Sequence, residues 1–246
     1  MQPELLSLPS SLYRATAFVI VALAIFMVAA HTGIAALVVQ RTSLPAKSKT
    51  IVPFVVGGFL ASWLGVAILV ADGANFPIPP ESRQGISGLV ALIPVVIAVV
   101  ALFASKNLRV INAATPSAWL IAIQTYRLAG IMFIYPFVTY GILPAGFGYP
   151  AGIGDALTGI FAPVVALMVA RNRPNAVKWA VAWNLLGTLD LIDATATALA
   201  FRAPVLGIYP IALVPLFLGP PLGILTHILS LRNLGGGTSG AAPVKV

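Results

Sequence analysis

Residues 177–201 read VKWAVAWNLLGTLDLIDATATALAF, an apolar run with two aspartates, Asp190 and Asp193, well inside it. An ionised side chain at the centre of a bilayer costs roughly 2.5–3.5 kcal/mol on insertion scales, so acids in a membrane helix face a protein interior or a watery cavity, often at a functional site. Whether this run is such a helix therefore decides both the fold and where to look for function.

The rest of the chain says that it is. Hydrophobic residues make up 59% of the 246, only 8% are charged, and the mean hydropathy is +1.01, against about 25% charged residues in a soluble domain. Seven stretches are long enough to cross a hydrocarbon core, which needs about 20 helical residues. They are Ala15 to Gln40, Ile51 to Ala71, Ile86 to Ala104, Ala118 to Leu143, Ala151 to Ala170, Val177 to Phe201 and Val205 to Leu231. The expected fold is all-α: one polytopic domain of seven transmembrane helices over residues 1–232, followed by a disordered Gly-, Ala- and Ser-rich tail over 233–246. The first run is too long for a signal-peptide core, and the residues before it carry Glu4 without a basic cluster, so it reads as a retained helix.

The formal charge of +8 does not indicate nucleic acid, because the basic residues are segregated along the chain. Arg41, Lys47, Lys49, Lys106, Arg109, Arg171, Arg173, Lys178, Arg232 and Lys245 fall on one side of the predicted spans, and Arg14, Arg83 and Arg202 on the other. Ten against three follows the positive-inside rule, with the amino terminus outside and the carboxyl terminus cytoplasmic. The expected location is the cell's inner membrane, with lipid as the first partner; a homo-oligomer is compatible with the sequence. Cysteine is absent, which excludes disulfides, thiolate metal sites and cysteine nucleophiles.

Two outer connections stand out. Residues 72–85 contain a Pro cluster that suggests a stiff cap. Residues 143–154 carry Gly146, Gly148, Gly152 and Gly154, which suggests a mobile lid, a close backbone approach to a ligand, or a tight turn between packed helices. A faint internal repeat is also present. Trp63 and Trp183 lie in similar surroundings, Ala91 to Pro94 resembles Ala212 to Pro215 at an offset of 121, and the ends of spans one and five match at an offset of 130. A 3+1+3 arrangement of parallel repeats follows, in which transporters hold substrate at the repeat interface. In architecture alone this resembles sugar-transporter and vitamin-transporter folds. Microbial rhodopsins also have seven helices, but the last span here has no lysine for a retinal Schiff base.

Arg127 is the basic counterpart of the intramembrane acids. It lies about nine residues, roughly 14 Å, into span four from the cytoplasmic side, and Asp190 about 13 residues, roughly 20 Å, into span six. The length of arginine bridges that difference if the helices touch. Gln124 shares Arg127's face, and Asn184, with Thr188 and Thr195, forms a second polar stripe on the face of span six away from the aspartates. Asp155 opens span five as read, where it would stabilise a helix amino terminus. Arg127 neutralises only one of three carboxylates, so the others are protonated, bound to a cation or open to water. That excess favours a proton, a metal ion or a cationic solute over an anion.

His31 in span one and His227 near the inner end of span seven are candidates for axial haem ligation or for a metal site with aspartates. The simpler reading makes His31 a helix-to-helix hydrogen bond and His227 an interfacial residue, and no cofactor is expected. Phosphate-binding loops, nucleophile elbows and zinc-binding helix motifs are absent from the sequence. The expected function is transport of a small solute or ion, linked to a proton or cation through Arg127, Asp190, Asp193, Gln124, Asp155 and Asn184. A ligand-sensing or scaffold protein is the alternative, and a haem- or metal-binding membrane protein a further one.

Overall fold

Prolines and glycines cut this chain into helices, and the carbonyls they leave unpaired explain much of its packing. The computed structural model describes residues 9–72 and 80–235. It is 86% helical with no strand among the described residues. Of the suggested cap over residues 72–85, residues 80–85 are helical and 73–79 lie outside the described residues; of the tail expected to be disordered over 233–246, residues 233–235 are instead helical, held by the bonds of Asn233 to Asn112 and Thr115, and the rest lies outside the described residues.

The elements run in order as α1 (Ser10–Gln40), α2 (Ala46–Ala71), α3 (Pro80–Ala104), α4 (Lys106–Ala114), α5 (Ser117–Ile123), α6 (Ala145–Ala170), α7 (Ala176–Ala200) and α8 (Gly223–Gly235). A 3-10 helix over Gln124–Gly130 and wide turns over Phe133–Val138 extend α5, and further wide turns over Val214–Leu222 lead into α8. Among the described residues, six helices are long and apolar enough to cross a membrane: Ser10–Gln40, Ala46–Ala71, Gly85–Ala104, Ser117–Val138, Ala145–Ala170 and Val214–Gly235. Large apolar side chains such as Phe18, Phe54, Leu92, Phe103 and Leu186 are exposed on the outside, as they are in proteins whose surface meets lipid. The remaining candidate, α7, is as long as its neighbours but more polar, because Asn184, Asp190, Asp193 and three threonines dilute its hydropathy.

The Val214–Gly235 segment is the central element, with 61% of its most apolar window buried against 11% for Gly85–Ala104. It is discontinuous at Gly219 (ψ −107°), just before Pro220 and Pro221. Proline supplies no N–H, so the carbonyls of Leu216 and, in α3, of Val90 lose the donors that residues 220 and 94 would give them. The indole of Trp63 donates to both, at 3.1 Å to Leu216 O and 3.0 Å to Val90 O. In a membrane interior an unpaired backbone carbonyl costs several kcal/mol, so this single side chain satisfies two helices while packing edge-on against Phe217. The phenol of Tyr126 does the same at the Gly219 break, donating to Leu218 O at 2.6 Å.

One boundary differs from the sequence reading in a way that moves the site. Residues 145–154 are the first turns of α6, not a lid or a tight connection. Their glycines serve close packing: a Cβ at Gly146 would meet Phe201, at Gly148 Val138, and at Gly152 Ile134 and the Gly130 carbonyl. Small residues of this kind let membrane helices approach at backbone distance. Asp155 therefore sits well inside α6, whose N-cap is Pro144, and the capping role expected for it is excluded.

Candidate functional site

Four elements meet at Arg127. The 3-10 helix carries the side chain inward, where only 1% of it is exposed, and each edge of the guanidinium finds a different helix. Nε donates to Asp155 Oδ1 on α6 at 2.6 Å. Nη2 donates to Asp190 Oδ2 on α7. Nη1 donates to the Gly187 carbonyl, also on α7, at 3.2 Å and to His227 Nε2 on α8 at 3.2 Å. The planar fork of arginine suits this work, since its donors diverge in one plane and stay charged.

Glycines clear the space around the fork. A Cβ at Gly130 would fall on the Cβ of Asp155, one at Gly154 on Asp190 Oδ1, and one at Gly187 within 2.6 Å of His227 Nε2. Each ionic partner thus faces a position with no side chain on an adjacent helix.

The hydrogen bonds fix the state of His227. Arginine can only donate, so Nε2 accepts from it, and Nδ1 must carry the proton that is donated to Asn184 Oδ1 at 2.9 Å. Asn184 in turn donates through Nδ2 to Ser230 Oγ at 3.1 Å and to Ala180 O at 2.8 Å. Trp183 packs against the imidazole with ring centroids 5.1 Å apart. Farther along the same face of α8, Asn233 donates to the carbonyls of Asn112 and Thr115 at 2.7 and 2.9 Å and accepts from Asn112 Nδ2 at 2.9 Å. A buried polar ladder of His227, Ser230 and Asn233 thus runs down α8 from the arginine cluster. Replacing Asn184 by alanine strands the His227 Nδ1–H in the interior and is expected to cost about 1–3 kcal/mol, read as a lower melting temperature of the purified protein in detergent.

Of the residues singled out in the sequence, Arg127, Asp155, Asp190 and Asn184 come together, the last through His227. The supposed separation of Asn184 from the aspartate stripe does not hold, because His227 joins the two; Thr188 and Thr195 bond their own helix's carbonyls instead. Gln124 is buried beside the cluster, donating to Gly223 O at 3.1 Å, while its Oε1 has no hydrogen-bond partner among the described residues. Asp193 is exposed, and Arg127 does not pair with it. His227 is fully buried rather than interfacial. Its ring nitrogens are taken by Arg127 and Asn184, while His31 donates through Nδ1 to Met27 O at 2.8 Å and its Nε2 lies 3.4 Å from Thr226 Oγ1. No group of three potential metal-binding side chains occurs among the described residues.

A cavity of about 40 Å³ opens beside the cluster, lined by Arg127, Asp155, Tyr126, Gly130, Phe133 and Leu218 among others. About one water-sized sphere needs 10–15 Å³ on this measure, so the space suits a few waters or a small polar group. One guanidinium between two carboxylates leaves an excess negative charge if both acids are ionised.

Fold and site together describe an all-helical chain whose apolar helices fit an integral membrane protein, centred on a buried arginine and two acids. The chain belongs to the family described as Domain of unknown function (DUF8737), whose model matches residues 84–235. That match includes every member of the arginine cluster and the ladder on α8, and leaves α1 and α2 outside it. No curated protein and no solved structure matches the chain.

Proposed function

We propose that the chain is a seven-helix transporter of a small solute or ion in the cell's inner membrane, coupled to a proton or cation through Asp190. The observation that carries the reading is the buried Arg127 held between Asp155 and Asp190. Burying ions is costly unless charges balance, and here they do not. The surplus carboxylate is a place for one proton or one cation, and Asp190 is the more open of the two acids, its side chain 19% exposed against 13% for Asp155. The small cavity favours a small occupant over a sugar.

In this reading α7 is the seventh span. Asn184 is buried and Thr188, Asp190 and Thr197 are half-buried, while Asp193 and Thr195 are exposed, and at 1.5 Å per residue its length is about 37 Å, enough to cross. The ten-against-three distribution of basic residues supports an amino terminus outside. The parallel repeat then pairs α1–α3 with α6–α8 around the α5 segment.

The test is proton flux in proteoliposomes holding a pH gradient, challenged with a panel of small cations and neutral solutes. A solute that dissipates the gradient with the unaltered protein is expected to lose that effect with Asp190→Asn, which keeps the side chain's shape and removes its charge. Solute-linked flux that is the same in both proteins sinks the coupling role of Asp190. The saturation of Arg127 favours a second reading, in which the cluster is a scaffold that only locks helices together. In that case no solute dissipates the gradient, and Asp190→Asn changes stability alone.

A further inference from the structure

We infer that the solute reaches this site sideways from the bilayer, and that it is a protonated long-chain amine. The ammonium sits at Asp155 and the alkyl chain along the seam between α1 and the α5 segment. The inference rests on the transport reading for its purpose, but its geometry stands separately.

The seam lies where α1, which packs chiefly against α2, diverges from the α5 segment after meeting it at Trp119, whose ring packs on the cluster of Val38 and Val39. The gap is a groove of about 530 Å³ whose walls include Thr16 and Val19 of α1 and Leu128, Ile131, Tyr135 and Pro136 opposite. Ile131 and Tyr135 are more than half exposed, so the groove faces outward across the apolar girdle. In a membrane that position is bathed by hydrocarbon, and an alkyl chain is the occupant it suits. Leu23, Tyr126, Ala129 and Met132 line this groove and also the small cavity at Arg127 and Asp155. The two spaces therefore share a wall, and an amphiphile lying in the groove can present its head to the cavity.

The cavity dictates the chemistry of that head. Its two strong donors are already committed: Arg127 to Asp155, Asp190, Gly187 and His227, and the Tyr126 hydroxyl to Leu218 O. Asp155 accepts from Arg127 through Oδ1, while its Oδ2 makes no hydrogen bond among the described residues. A head group thus meets a carboxylate acceptor, in a cluster that is net negative when both acids are ionised, and no free donor of comparable strength. That selects an ammonium and rejects a carboxylate or phosphate. A primary ammonium also matches the cavity's size, which a bulky head does not.

The test uses the full chain in vesicles with dodecylamine bearing a photoreactive group at the end of its tail, with labelled residues mapped by mass spectrometry. Labels are expected to concentrate on Val19, Leu128 and Tyr135 relative to the lipid-facing Phe54 and Leu92. Unlabelled dodecylamine should suppress them, and dodecanoate and methylammonium should not. Ala129→Trp, which fills the shared wall, should abolish the concentration, and Asp155→Asn should erase the preference for amine over acid. Labels spread evenly over the lipid-facing helices, competition by dodecanoate equal to that by dodecylamine, or unaltered labelling in Ala129→Trp would each overturn the inference. Labelling requires no pH gradient, so seam labelling without gradient-linked flux removes the transport function and leaves the site. Asp190-dependent flux with uniform labelling removes the site and leaves the transport function.

Discussion

Arg127→Met is expected to destabilise the protein by about 3–5 kcal/mol, because it leaves two buried carboxylates facing each other without a cation. The measurement is denaturant or thermal unfolding of the purified protein in detergent or bicelles. Arg127→Lys should recover little of the loss. A lysine amine is one point charge, whereas Arg127 serves Asp155, Asp190, Gly187 and His227 from three separate nitrogens. The triple variant Arg127→Met, Asp155→Asn, Asp190→Asn should be markedly more stable than Arg127→Met alone, since replacing a whole buried ionic group is far less costly than breaking it. Strong non-additivity of this kind is the signature of groups acting as one unit. If Arg127→Met unfolds with the same midpoint as the unaltered protein, the cluster is not the point where these four elements are joined.

How much of this was legible in the sequence depends on which physical signal each residue leaves. The Arg127–Asp190 pair was legible because isolated charges in apolar runs are few, and helix rise alone puts the two at compatible depths. Asp155 was misplaced because Gly146 to Gly154 with Pro150 reads as a break in water, where glycine weakens helices. In the bundle the same glycines lie against Phe201, Val138, Ile134 and Asp190, and α6 simply runs through them. With Asp155 moved from a helix end to the interior, the balance around Arg127 becomes two acids to one base, while Asp193 drops out as an exposed residue.

His227 was hidden by a different effect. Its nearness to the inner end of the last span suggested an interface, and nothing in single-residue polarity marks the i, i+3, i+6 pattern of His227, Ser230 and Asn233 as buried. His227 is bonded to Asn184 on α7 and Arg127 on the 3-10 helix, Ser230 to Asn184 and Asn233 to Asn112 on α4, so only tertiary contact reveals the pattern. The signal that was available is spacing: three polar residues on one face of an apolar helix flanked by Leu225, Leu231 and Leu234. Trp63 was likewise legible only as half of a repeat, although the prolines at 94 and 220 announce the orphaned carbonyls that its indole caps.

Gly154→Ala is expected to reproduce the loss of Asp190 coupling without removing any charge. The added methyl would occupy the position of Asp190 Oδ1, so the carboxylate must swing away and release Arg127 Nη2. Overpacking of this kind costs typically about 1–3 kcal/mol, offset in part by the gain of about 1 kcal/mol for alanine over glycine in a helix. The protein should therefore fold, less stably than the original but well above Arg127→Met. Gradient-linked flux in proteoliposomes should fall as is expected for Asp190→Asn. Gly65→Ala is the control, because a Cβ there meets no atom within 4 Å and the same propensity gain is unopposed. Should Gly154→Ala match Gly65→Ala in both melting temperature and flux, then Asp190 is free to leave Arg127 without consequence. The buried triad would then be packing rather than machinery.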